Sequence, residues 1–197
     1  MFSPSRIGGS PLFLGIVSVS GAFITYFSMY AFRKPFTAAE YESMALWGID
    51  FKILLIVSQV IGYTLSKFIG IRLISAMHPR DRIRYILGLL LVSWLALLAF
   101  AMVPPAFKVA AIFMNGLPLG LIWGLVFAFL EGRQQTELLA AGLASSFIVS
   151  SGVVKSVGLE LILEGVNVFW MPFLTGLIFV PTLLLGVWLL SLIPPPS

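Results

Sequence analysis

The sequence predicts an all-α membrane protein of six transmembrane helices, and three observations carry that prediction. Six apolar stretches fill nearly all of the 197 residues, with hydrophobic residues at 59% and charged residues at 10%, against about 25% charged in soluble domains. The stretches reach the roughly 20 residues that a spanning helix needs. They lack the alternation of barrel strands, and a spanning segment must satisfy its own backbone polar groups, which leaves helices.

The first stretch, 11–36, follows Arg6 and is too long for the apolar core of a signal peptide. A connection at 37–52 carries Glu40, Glu42 and Asp50. The second stretch, 53–77, runs into the basic loop His78-Pro-Arg-Asp-Arg-Ile-Arg84. The third, 85–103, has only Ser93 as an interior polar residue. The fourth, 109–130, carries Gly116, Gly120 and Gly124, a spacing that lets a neighbour pack backbone to backbone. Gly62 and Gly70 offer the same on the second helix. The fifth, 138–163, gathers Ser145, Ser146, Ser150, Ser151 and Lys155, and the sixth, 166–193, has Asn167, Thr175, Thr182 and Ser191 without a charge. The whole chain, 1–197, reads as one bundle.

Basic residues set the expected orientation. With the N-terminus inside, Arg6, Arg72, Arg80, Arg82, Arg84 and Arg133 fall on the cytoplasmic side, and Lys52 and Lys108 fall outside with Arg33 and Lys34 near that face. Both termini are then cytoplasmic, in what is expected to be a bacterial cytoplasmic membrane. An impermeant reagent should label a cysteine placed at Glu42 but not one at Arg80.

Several functions are excluded or disfavoured. The chain has no Cys and a single His, so thiolate catalysis, disulfides and multi-histidine metal sites are out. No intramembrane carboxylate pair or Ser–His arrangement exists, so an enzyme is not expected, nor is a cofactor. The net charge of +4 reflects loop topology and implies no nucleic acid. The expected partners are the lipid bilayer and a small anion.

Charge within the spans carries the functional reading, because it is costly there, by roughly 2.5 kcal/mol or more. Arg33, Lys67 and Lys155 each interrupt a stretch, whereas no acid lies well inside one. Tyr26, Tyr30 and Arg33 share a face at i, i+4 and i+7, two phenols beside a guanidinium suited to an oxyanion. The alternative is an interfacial aromatic belt with a snorkelling Arg33. Gln59, Tyr63 and Lys67, spaced by four, form a polar stripe, with Lys67 too deep to snorkel. Asn115 on helix 4 and Lys155, one turn after Ser151, complete the candidate substrate-binding set. Glu40 or Glu164 could instead neutralise Lys155. With helices 3 and 6 poor in polar residues, a 3+3 inverted repeat is expected, with helices 1, 2, 4 and 5 around a path.

Six helices, a basic helix 2–3 loop after Gly62-x7-Gly70-x-Arg72 and a glycine-rich helix 4 resemble the N-terminal half of a major facilitator superfamily carrier. Arg33-Lys34-x-Phe36 and Ser66-Lys67-Phe68 are similar to motifs of its organophosphate:phosphate antiporter branch. That resemblance implies a secondary transporter of an organic or phosphorylated anion, with Arg33 as the phosphate-binding arginine and Lys67 as a cavity cation. Phe129-Leu-Glu-Gly-Arg133 and Ser151-Gly-Val-Val-Lys155 also resemble an uncharacterised bacterial membrane family allied to the superfamily. The chain departs from the carrier pattern at the helix 2–3 loop, where serine stands near the usual Asp, and in helix 5, which lacks the Gly-Pro motif. Half a carrier implies a further six helices after Leu192-Ile-Pro-Pro-Pro-Ser197, or a second copy. A transport-incompetent receptor or scaffold on the same fold is the alternative function.

Overall fold

The computed structural model describes residues 11–42, 44–75, 77–78, 81–129 and 136–193. Arg6, Arg80, Arg133, the motif residues 130–133 and the prolines at 194–196 lie outside them. Six helices are long and apolar enough to cross a membrane: α1 (Pro11–Met29), α2 (Phe51–Ser75), α3 (Arg82–Met102), α4 (Pro105–Phe127), α5 (Thr136–Leu163) and α6 (Met171–Ser191). The chain is an all-α integral membrane protein. Large apolar side chains such as Ile148, Phe68 and Leu163 stand exposed around the bundle, as lipid-facing residues do.

Helix 1 is shorter than expected. After Met29 it tightens into a 3₁₀ turn (Tyr30–Phe32), and a second such turn follows (Pro35–Thr37). Pro35 has no N–H to offer Ala31, so α-helical bonding cannot continue past it. The N–H groups of Arg33 and Lys34 both donate to Tyr30 O, at 3.0 and 2.9 Å. The connection to α2 also holds structure that its acidic composition does not announce. It is a two-stranded hairpin, β1 (Ala45–Leu46) against β2 (Ile49–Asp50). Trp47 and Gly48, with φ of 55° and 76°, make the tight turn, a left-handed pair that suits a two-residue hairpin loop. Asp50 Oδ1 then accepts the Ile53 N–H at 3.0 Å and caps α2. Helix 6 starts later than its apolar run. Gly165 turns the chain at φ 91°, and Asn167 Oδ1 accepts the Phe169 N–H at 2.9 Å in the loop ahead of α6.

The bundle is organised around α1 and α4. Helices α2 and α3 flank α4, α5 and α6 flank α1, and α3 meets α6. The α2–α4 seam is built on glycine: a Cβ on Gly62 would stand 2.5 Å from Phe113 O, and one on Gly116 would stand 2.5 Å from Gln59 O. A Cβ on Gly120 would strike Tyr63 O and Ser66 Oγ. Small residues thus bring the two backbones into contact, as the glycine spacing predicts.

Two cations close the α3–α4 hairpin at opposite ends. Lys108, expected only as an outer charge, is 4% exposed; its Nζ donates to Phe100 O at 2.6 Å, near the C-terminus of α3, and lies 4.1 Å from the Phe169 ring. Arg82 Nη1 donates to Ala128 O at 2.7 Å, at the C-terminus of α4. Each helix end presents unpaired carbonyls and partial negative charge, which a cation offsets.

Candidate functional site

The end of α1 is held by a buried amide pair. Gln59 Nε2 donates to Arg33 O at 2.9 Å and to Asn115 Oδ1 at 2.7 Å. Asn115 Nδ2 donates to Phe32 O at 2.9 Å, to Ser93 O at 3.0 Å and to Ser93 Oγ at 2.7 Å. Four segments meet here: the 3₁₀ turn after α1, then α2, α3 and α4. Both amides were expected to contact substrate; in the fold their N–H groups bond to the protein. They take up carbonyls that the broken helix leaves unpaired. Ser93, an isolated hydroxyl in the sequence of a bland helix, is a full member of this hub.

Gln59 lies eight residues into α2, about 12 Å along it. The α1 terminus therefore sits well inside the bundle, and Arg33 is placed at depth by its backbone. Its guanidinium turns inward: Cζ lies 5.6 Å from the Tyr30 ring centroid and 4.1 Å from that of Tyr63. Tyr63 is the middle residue of α2, twelve from either end. An interfacial Arg33 stretching to the headgroups does not fit this geometry.

Lys67 meets the same ring from the other side of the sequence. Its backbone is only eight residues from the end of α2 at Ser75, and the residue is exposed. Helical side chains lean toward the N-terminus of their helix, however, and Lys67 Nζ lies 4.8 Å from the Tyr63 centroid and 5.9 Å from that of Trp123. The ammonium thus reaches back toward the middle of α2. Arg33 and Lys67 share the Tyr63 ring, so their charge centres lie within about 9 Å of each other. Trp123 escaped the sequence reading, although its place beside Gly124 in the glycine ladder puts it near α2.

Tyr26 and Tyr30 pack at the back of this group. Their rings meet edge to face with centroids 5.7 Å apart, and each contacts Phe147 of α5, at 4.8 and 6.1 Å. Both are buried, at 1% and 6% exposure, so they act as walls behind Arg33 more than as an open pocket. Lys155, half-buried on α5, approaches Lys34. Burial, then the charges of Arg33 and Lys155, lowers the Lys34 ammonium below its ordinary range. Glu40 is engaged elsewhere, 2.9 Å from Lys52 Nζ, which removes it as the expected neutraliser of Lys155. Among the described residues the ion pairs are Lys52–Glu40 and Arg84–Asp81. None involves Arg33, Lys34, Lys67 or Lys155, and the Arg33 Nε is buried without an acceptor.

No curated protein and no solved structure matches this chain. Residues 35–197 match the family of unknown function DUF5690, a stretch that begins at the second 3₁₀ turn and takes in α2 to α6, and the chain belongs to that family.

Proposed function

We propose that this protein is a secondary transporter, or the N-terminal half of one, for a small organic or phosphorylated anion. The observation that carries the reading is the convergence of Arg33 and Lys67 on the ring of Tyr63, midway along α2, with no acid paired to either among the described residues. Unneutralised charge at that depth is expensive unless a ligand or a water-filled path receives it. An arginine fork matches carboxylate or phosphate oxygens, and the Arg33 Nε lacks an acceptor that such an oxygen would supply. Tyr63 holds the two cations by their attraction to its face, and Lys34 and Lys155 extend the positive region toward α5.

The packing order supports a 3+3 inverted repeat. Exchanging the first three helices for the last three maps the α4 contacts with α2 and α3 onto the α1 contacts with α5 and α6. A helix that breaks inside the bundle, as α1 does, is also a feature of transporter binding sites. In this reading both termini are cytoplasmic and the Arg82 end of the bundle faces the cell interior.

The test is Lys67→Gln, which keeps most of the volume and removes the charge. Binding of inorganic phosphate or an organic anion to the protein in nanodiscs should weaken by roughly 1.5–3 kcal/mol, the scale of a hydrogen bond to a charged group. Uptake of the same anion into proteoliposomes should fall with it. Unchanged affinity in a well-folded variant would make Lys67 a structural cation. Binding without uptake would favour a receptor.

A further inference from the structure

A cavity of about 630 Å³ leads to Lys67 between α2 and α4, along the halves of those helices nearest Arg82. Its existence follows from the seam. At Gly116 and Gly120 a Cβ would meet the backbone of α2, but one turn on, a Cβ at Gly124 would meet only the side-chain tip of Ile74, at 2.6 Å. The backbones part at that point, and the space between them is walled by Ile71, Ile74, Trp123 and Phe127. Trp123 and Phe127 stack with centroids 5.1 Å apart and an interplanar angle of 6°, making one continuous aromatic wall. Lys67 stands at the deep end and Arg82, fixed on Ala128 O, lines the other.

The chemistry of this lining is uneven. Among the described residues its charges are both positive, and apart from the Trp123 indole N–H no lining side chain carries a neutral hydrogen-bonding group. Among the described lining residues none offers a carboxamide, hydroxyl or carboxylate to the hydroxyls of a sugar or polyol. Burying such hydroxyls without partners is unfavourable, whereas an apolar body gains from leaving water. A volume of this size suits a small organic molecule.

We infer that the substrate is an amphiphilic anion, a single phosphate or carboxylate on an aromatic or aliphatic body, which places its acid group at Lys67 and its body along Trp123 and Phe127. This rests on the anion reading of Lys67 and narrows it: the preferred ligand is not a polyhydroxylated phosphate ester.

Calorimetric titration of the protein in nanodiscs of neutral phosphatidylcholine separates the possibilities, with phenyl phosphate, glycerol 3-phosphate and inorganic phosphate as probes. Phenyl phosphate should bind at least roughly tenfold more tightly than glycerol 3-phosphate, the gain for burying about two methylenes' worth of apolar surface. Phe127→Gln should remove most of that preference. Should that variant not fold, the comparison of probes on the unaltered protein decides alone. Equal affinity for the two esters overturns the amphiphile assignment and leaves the anion reading standing. No binding of any probe overturns both. If phosphatidylglycerol in the nanodisc displaces phenyl phosphate, the cavity belongs to an anionic lipid, and the soluble-substrate assignment falls.

Discussion

The seam between α2 and α4 and the seam between α1 and α5 occupy equivalent places if the two helix triplets are exchanged, yet they are built on opposite principles. Along α2–α4, Gly62, Gly116 and Gly120 bring backbone against backbone, and Gln59 and Asn115 tie the helices to the end of α1. Along α1–α5 the contact is made by rings, with Phe147 laid on Tyr26 and Tyr30. Gly152 of α5 has nothing within 4 Å of where a Cβ would stand. Three α5 serines donate along their own helix: Ser150 to Ser146 O, Ser145 to Ala141 O and Ser156 to Gly152 O. Backbone contact admits one arrangement, because neither partner can yield. Ring contact tolerates sliding, as side chains can change rotamer. The two seams thus differ in kind: α2 and α4 form a backbone-to-backbone frame that holds Lys67 and Trp123, whereas α5, carrying Lys155, meets α1 through the Phe147 ring.

The largest expected effect breaks the frame. Gly116→Leu would drive a side chain into Gln59 O and should destabilise the protein by about 3 kcal/mol or more, at the upper end of overpacking costs. Gly152→Ala on the other seam meets open space and should stabilise it by about 1 kcal/mol, the helix-propensity difference. Thermal unfolding of the purified variants in detergent measures both. Equal losses at the two positions would mean that the seams are alike.

Next is the amide hub. Asn115→Leu keeps the volume but leaves Phe32 O, Ser93 O and the Gln59 amide short of partners inside the bundle, at an expected cost of about 2 kcal/mol. Ser150→Ala removes a hydroxyl that bonds only within α5 and should cost no more than about 0.5 kcal/mol. If the two variants melt together, the hub does not hold the end of α1.

How far the sequence carries the reader differs between these same regions. Six spans were legible because length and hydropathy are properties of the chain itself, and the glycine spacing of α4 announced a backbone-close neighbour. The convergence on Tyr63 was half visible: Tyr63 and Lys67 share a helix face, but Arg33 joins them only because α1 breaks before Pro35 and its end is drawn into the bundle. The bonds that Asn115 and Gln59 make within the bundle were not legible, because sequence shows a buried donor but not the orphan carbonyl that occupies it. Lys108 and Arg82 were counted as loop charges for the same reason: the helix ends they cap, across a turn for Lys108 and across the whole α3–α4 hairpin for Arg82, become partners only after folding. Trp123 needed the neighbour of α4 to be known before its side mattered.

The smallest expected effect bears on the α1–α5 side and depends on pH. Lys34, half-buried, lies beside Arg33 from its own turn and Lys155 from α5, and no acid pairs with it among the described residues. Burial, then those two charges, lowers its folded-state pKa below the ordinary lysine value of 10.5 that it keeps when unfolded. Between the two values the unfolded chain binds more protons than the folded one, so stability rises with pH through that window. Below it both states are charged and the folded protein carries the whole penalty. Above it both are neutral and the penalty is gone. Unfolding measured from neutral pH into the alkaline range should therefore show a modest gain as Lys34 loses its proton, and Lys34→Gln should flatten it. Lys155→Gln should shrink the gain without abolishing it, since Lys155 is the third cause after burial and Arg33. A pH profile indifferent to Lys155 would place α5 too far from Lys34 to matter, and the α1–α5 seam would then be looser than the ring contacts imply.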